Sequence, residues 1–122
     1  MPKSKPLERN LQTAVLRKLK ALRAQDDRLV FRKRHGSVLG VAGDPDVYGL
    51  WAGIAWELEL KAPGEQPTAL QWERLDEWNK AGAVVGVIDK VQDFDQFIAM
   101  IQEYVWRTRG KPGAPTMPLG QR

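Results

Sequence analysis

The stretch WELELKAPG, residues 56–64, constrains the fold more tightly than any other part of the chain. Trp56, Leu58 and Leu60 alternate with Glu57, Glu59 and Lys61. Successive side chains of a strand point to opposite faces, so the apolar triplet shares one face of a sheet and the charged triplet the other. Pro63 and Gly64 then break the strand ahead of a helix. The charged face is either an ordinary half-exposed sheet surface or one that holds a metal ion.

The flanking sequence gives this strand a partner. DVYGLWAGIAWELELKA reads as two strands joined by a tight turn near Trp51, Ala52 and Gly53, because β-branched and aromatic residues surround a Gly-bearing break. With the turn there, Asp46 at the start of the first strand comes beside Glu59 and Lys61 in the second. Upstream, Leu11, Val15, Leu19 and Leu22 form one stripe of an amphipathic helix over residues 7–24. Glu8 lies near that stripe, and an acid in the first turn also suits the helix dipole. RLVFRKRH reads as a short strand, followed by the Gly-punctuated loop GSVLGVAGDP. TALQWERLDEWNKAG reads as a helix with Thr68 and Gln71 as a capping box and Trp72, Leu75 and Trp78 as an apolar ridge, the tryptophans expected in the core or an interface. AVVGVID is the signature of a strand covered on both faces. Asp93 is expected to open the last helix, with Gln96 at its third position and Phe94, Phe97, Ile98, Ile101 and Val105 facing inward. The order predicts an α/β fold, a sheet with helices on both sides. A chain of 122 residues suits one domain, here residues 1–108, and the Pro- and Gly-rich residues 109–122 are expected to be a mobile tail.

The chain holds no cysteine and one histidine, His35, so thiolate and His-rich metal sites are excluded and a metal would be held by carboxylate oxygens, which points to Mg²⁺ or Mn²⁺. A divalent ion that cleaves a phosphodiester needs oxygen ligands from separate backbone segments and a nearby cation. Asp46, Glu59 and Lys61 meet that need, and the Leu60 carbonyl would complete the coordination. The net charge of +4 conceals an asymmetry: residues 1–40 hold eleven Lys or Arg against Glu8, Asp26 and Asp27, and the rest holds eight against twelve. The basic half is built either to bind a polyanion or simply as a solvated helix face. The N-terminus lacks an apolar signal core and no run approaches the ~20 apolar residues that span a bilayer, so a cytoplasmic, non-membrane protein is expected.

GDPD at 43–46, ELK at 59–61 and Gln71 in the next helix resemble the restriction-endonuclease-like PD-(D/E)XK nucleases, and within them the virus-type replication-repair nuclease (VRR-NUC) domain. The resemblance runs from Glu8 to about Asp89. It implies an αβββαβ core with a mixed central sheet, here followed by a C-terminal helix. It further implies a Mg²⁺- or Mn²⁺-dependent DNA nuclease which, in small stand-alone members, is a homodimer that cuts branched DNA such as four-way (Holliday) junctions. The implied setting is a bacterial or phage-infected cell. Asp46 matches the motif's metal-binding Asp, Glu59 its metal-binding acid, Lys61 its lysine, Gln71 the Gln that follows the motif, and Glu8 the acid on the first helix. Lys5, Arg9, Arg32, Lys33 and Arg34 would hold the phosphate backbone, with His35 a further phosphate contact or a surface residue. Glu57 is an acid beyond the motif; a second ion or a partner subunit are alternatives to the solvated position expected for it. The rival expectation is a non-catalytic DNA-binding protein on the same fold.

Overall fold

The computed structural model describes residues 5–35 and 40–113. The elements run α1 (Lys5–Gln25), β1 (Leu29–Lys33), β2 (Val47–Trp51), β3 (Ile54–Leu60), α2 (Ala69–Lys80), β4 (Val84–Ile88) and α3 (Val91–Arg109). Ala52 and Gly53 form a two-residue turn, both with positive φ (48° and 87°), which matches the natural twist of the two strands it joins. The turn sets the β2–β3 register, from Trp51 opposite Ile54 to Val47 opposite Leu58. β1 adds antiparallel to β2, and β4 lies parallel to β3, giving the order β1-β2-β3-β4. A parallel neighbour needs a long crossover, which α2 supplies.

The alternation in β3 sorts the molecule into layers. Trp56, Leu58 and Leu60 are buried with Leu11, Val15 and Leu19 of α1 and Phe94, Ile98, Ile101 and Val105 of α3, so these two helices share one face of the sheet. Trp56 meets Phe97 edge to face, ring centroids 6.4 Å apart. Its indole also lies across β2, where a Cβ on Gly49 would sit 2.6 Å from the Trp56 Cζ2 atom. α2 serves the other face: its Trp78 ring lies against Arg34, whose guanidinium pairs with Glu57 on the charged side of β3.

Four expectations are revised. In α2 only Leu75 is buried, while Trp72 is 48% exposed and Trp78 half-buried. This helix packs chiefly on β4, and that narrow seat covers one residue of the ridge. β4 is an edge strand, buried only at Ile88; α2 and α3 both contact it but its outer edge is open. α3 starts at Val91 with Lys90 in the cap position, so Asp93 sits in the first turn and does not open the helix. It continues through Arg109, into the segment expected to be tail; residues 114–122 lie outside those described. Among the described residues no helix is long and apolar enough to cross a membrane.

Candidate active site

Because Val47 pairs with Leu58, the residue before Val47 falls beside the residue after Leu58, and Asp46 therefore meets Glu59. The Leu60 N–H donates to Asp46 Oδ2 at 2.8 Å, and the Arg34 N–H donates to the Asp46 carbonyl at 2.8 Å. The loop entering β2 is fastened to α2. Arg74 Nε donates to the Ala42 carbonyl (3.1 Å) and Trp78 Nε1 to Asp44 Oδ1 (3.1 Å). Gly43 has φ +82°, a conformation side chains disfavour, and a Cβ there would lie 2.8 Å from Leu70 Cγ. The glycine ahead of the Pro-Asp pair thus lets the loop lie on the helix.

Glu59 is 1% exposed and hydrogen-bonded to Asp46, while its Oε2 is buried with no hydrogen-bond partner among the described residues. Burial pushes its carboxyl up to about 9; the Asp46 hydrogen bond and charge add to this, Lys61 opposes it and Glu8 adds a little more. Without a cation Glu59 therefore keeps its proton at neutral pH. Lys61 is buried as well, and its N–H bonds the Ile88 carbonyl, extending the β3–β4 pairing one residue past the strand. The structure therefore brings Asp46, Glu59 and Lys61 into one place, and a buried carboxyl that bonds a second carboxylate while its Oε2 has no partner fits a divalent cation.

The other expected residues divide. Glu8 interacts electrostatically with Glu59 and lines a small cleft with Arg9, Gln12 and Lys33. Glu8 is half-buried, and among the described residues no three Asp, Glu or His side chains converge as an ion cage. Gln71 is occupied by the α2 cap: its N–H donates to Thr68 Oγ1 and its Oε1 accepts the Thr68 N–H. Arg9, Arg32 and His35 are exposed and Lys33 half-buried; Lys5 is the first residue of α1, its side chain outside those described. Beside Asp46 a cleft of about 600 Å³ is lined by Lys33, His35, Gly43, Asp44 and Tyr48.

Arg34 and Glu57 depart most from expectation. Arg34 donates through Nη1 to Glu57 Oε1 and, at 2.8 Å, to the Pro45 carbonyl, and through Nη2 to Glu57 Oε2. Its guanidinium lies 4.2 Å from the Tyr48 ring centroid and 5.1 Å from that of Trp78. Arg34 is an internal clamp, and Glu57 is buried and paired where solvation was expected. Burial pushes the Glu57 carboxyl up and the Arg34 bonds oppose it. The signal was present in the strand registers: carrying β1 onto β2 and β2 onto β3 puts Arg32, Tyr48 and Glu57 in one row, and extending both registers two residues past it, beyond the Lys33, Val47 and Leu58 row, puts Arg34, Asp46 and Glu59 on the same face.

A mixed four-stranded sheet flanked by three helices, with its carboxylate pair formed across a hairpin, is consistent with the restriction-endonuclease-like fold. No family profile and no curated protein matches the chain. Solved structures do, and two of them are described as VRR_NUC. One, described as a VRR_NUC domain, is 26% identical over 76% of this chain and 95% of its own, with a TM-score of 0.62. The other, a VRR_NUC domain protein, is 25% identical over 80% of this chain and 87% of its own, with a TM-score of 0.56. These likenesses support a VRR-NUC domain, a domain of the nuclease families.

Proposed function

We propose that the chain is a Mg²⁺- or Mn²⁺-dependent DNA endonuclease whose reaction centre is Asp46, Glu59 and Lys61. The observation that carries this reading is the buried Glu59 carboxyl, hydrogen-bonded to the half-buried Asp46 and left with an orphaned Oε2, a costly arrangement without a cation. Asp46, Glu59 and the Leu60 carbonyl would hold the ion, which when bound supplies a more acidic water and neutralises charge on the scissile phosphate. The Leu60 N–H keeps the Asp46 carboxylate turned toward Glu59. The Lys61 ammonium contributes positive charge to the transition state and orients the attacking water. Arg9, Arg32 and Lys33 hold phosphates without reading bases, which makes affinity salt-dependent. By the resemblance of GDPD and ELK to the family motif, the substrate is branched DNA and a homodimer presents two such centres.

The test is cleavage of a labelled four-way junction and a matched linear duplex with Mg²⁺, Mn²⁺ or chelator, comparing the wild type with Lys61→Ala. The expected result is metal-dependent cutting, faster on the junction, reduced about 100-fold or more by the substitution. The exposed Arg9 and Arg32 beside Lys33 suit a second reading, a DNA-binding protein that does not cut. Tight, salt-sensitive binding with no cutting under either ion would establish that reading in place of the first.

A further inference from the structure

Building on the nuclease reading, we propose that Arg34 is a positioning residue that aims the Asp46 carboxylate through the backbone, with Glu57 as its counter-ion. Arg34 holds the loop at two successive peptide groups. Its guanidinium takes the Pro45 carbonyl, and its own N–H takes the Asp46 carbonyl. The guanidinium is in turn fixed from three sides. Glu57 accepts from both Nη atoms, the Tyr48 and Trp78 rings lie against its plane, and Asp44 Oδ2 stands 3.9 Å from Nε. Trp78 and Asp44 are themselves hydrogen-bonded, so strand, loop and α2 meet at this one side chain.

Only arginine fits this environment. Its planar fork serves a carboxylate and a carbonyl together while stacking on aromatic rings, and the compact ammonium of lysine cannot match that geometry. A side chain engaged in this way has little left to offer a phosphate, although its place in the run Arg32-Lys33-Arg34 would assign it one. Polar groups that orient a ligating carboxylate commonly affect metal affinity and turnover together. A phosphate contact would instead affect DNA affinity and its salt dependence.

The experiment compares wild type, Arg34→Lys, Glu57→Gln and Arg32→Gln by Mn²⁺ titration calorimetry without DNA and by junction-cleavage kinetics at two salt concentrations. The expected result for Arg34→Lys is a loss of about 10- to 100-fold in kcat and in Mn²⁺ affinity, with KM for DNA and its salt slope nearly unchanged. Glu57→Gln should follow in the same direction by a smaller factor, and Arg32→Gln should change KM and the salt slope instead. A raised KM and shallower salt slope for Arg34→Lys, with kcat and Mn²⁺ affinity kept, overturns the proposal. If circular dichroism shows Arg34→Lys unfolded, Glu57→Gln decides by the same criteria. A wild type that binds Mn²⁺ without cutting removes the nuclease reading alone, since Mn²⁺ affinity still reports on Arg34. A wild type that neither binds Mn²⁺ nor cuts removes both.

Discussion

A carboxyl buried against a second carboxylate resists ionisation at neutral pH unless a cation joins them. For Glu59 this has a defined sign. In chelator the folded protein keeps the Glu59 proton up to about 9, while the unfolded chain releases it near the ordinary 4.5, so the folded state binds more protons across that window. Stability from this group is complete below the unfolded value and is lost as pH rises toward the folded one. The melting temperature in chelator should therefore fall between pH 5 and pH 8. Mn²⁺, taking the place of the proton, should raise it more at pH 8 than at pH 5.5. Glu59→Gln should flatten the chelator profile, abolish the Mn²⁺ effect and cut cleavage about 100-fold or more. Thermal melts across pH measure this, and an unchanged slope in Glu59→Gln would locate the proton elsewhere.

Among the elements, β2 has the least tolerance. At Gly49 a Cβ would lie 2.1 Å from the Val30 carbonyl and 2.6 Å from Trp56 Cζ2, a clash with backbone on one side and a buried indole on the other. Gly49→Ala should cost about 1–3 kcal/mol or more by overpacking, read as a lower midpoint in urea unfolding. The α2 cap is milder: Thr68→Ala should cost about 1 kcal/mol and lower the same midpoint less. The two positions also differ in how well the sequence displays them. The Thr68–Gln71 box is local, three residues apart, and was readable. The need for glycine at 49 comes from Trp56 and Val30 on neighbouring strands, and no window of β2 contains them. The α2 tryptophans were overestimated for a related reason. The ridge is set by helical spacing, but how many of its members are covered depends on the width of the surface the helix lands on.

On the scale of the whole molecule, a second network closes the end of the sheet away from the carboxylate pair. Asp26, just after α1, accepts from Arg28 Nε and Nη2 and from Trp51 Nε1, each at 2.9 Å, tying the helix end to the end of β2. The Arg28 bonds foremost hold the Asp26 carboxyl down at about 2, against an ordinary 3.8. The stabilisation is present in full above the ordinary value and is lost as pH falls through the lowered one, worth about 2 kcal/mol at neutral pH. Asp26→Asn should lower stability by about that amount at pH 7 and by less near pH 2, while leaving junction cleavage close to wild type in the folded fraction. Denaturant titrations at the two pH values, alongside the cleavage assay, check the separation.

The sequence alone determined the strand alternation, a tight turn near Trp51, Ala52 and Gly53, the placing of Asp46 beside Glu59 and the order of helices and strands along the chain. Each of these depends on residues a few positions apart or on a register that one short turn dictates. Only the tertiary structure decided what became of the charged face. Glu57, Glu59 and Lys61 would stand in water on an isolated hairpin, whereas in the folded chain all three are buried and the guanidinium of Arg34 pairs with Glu57. Desolvation depends on every chain segment that arrives nearby, so the same alternating pattern is compatible with a wet surface or with a buried, protonated carboxyl until those segments are in place.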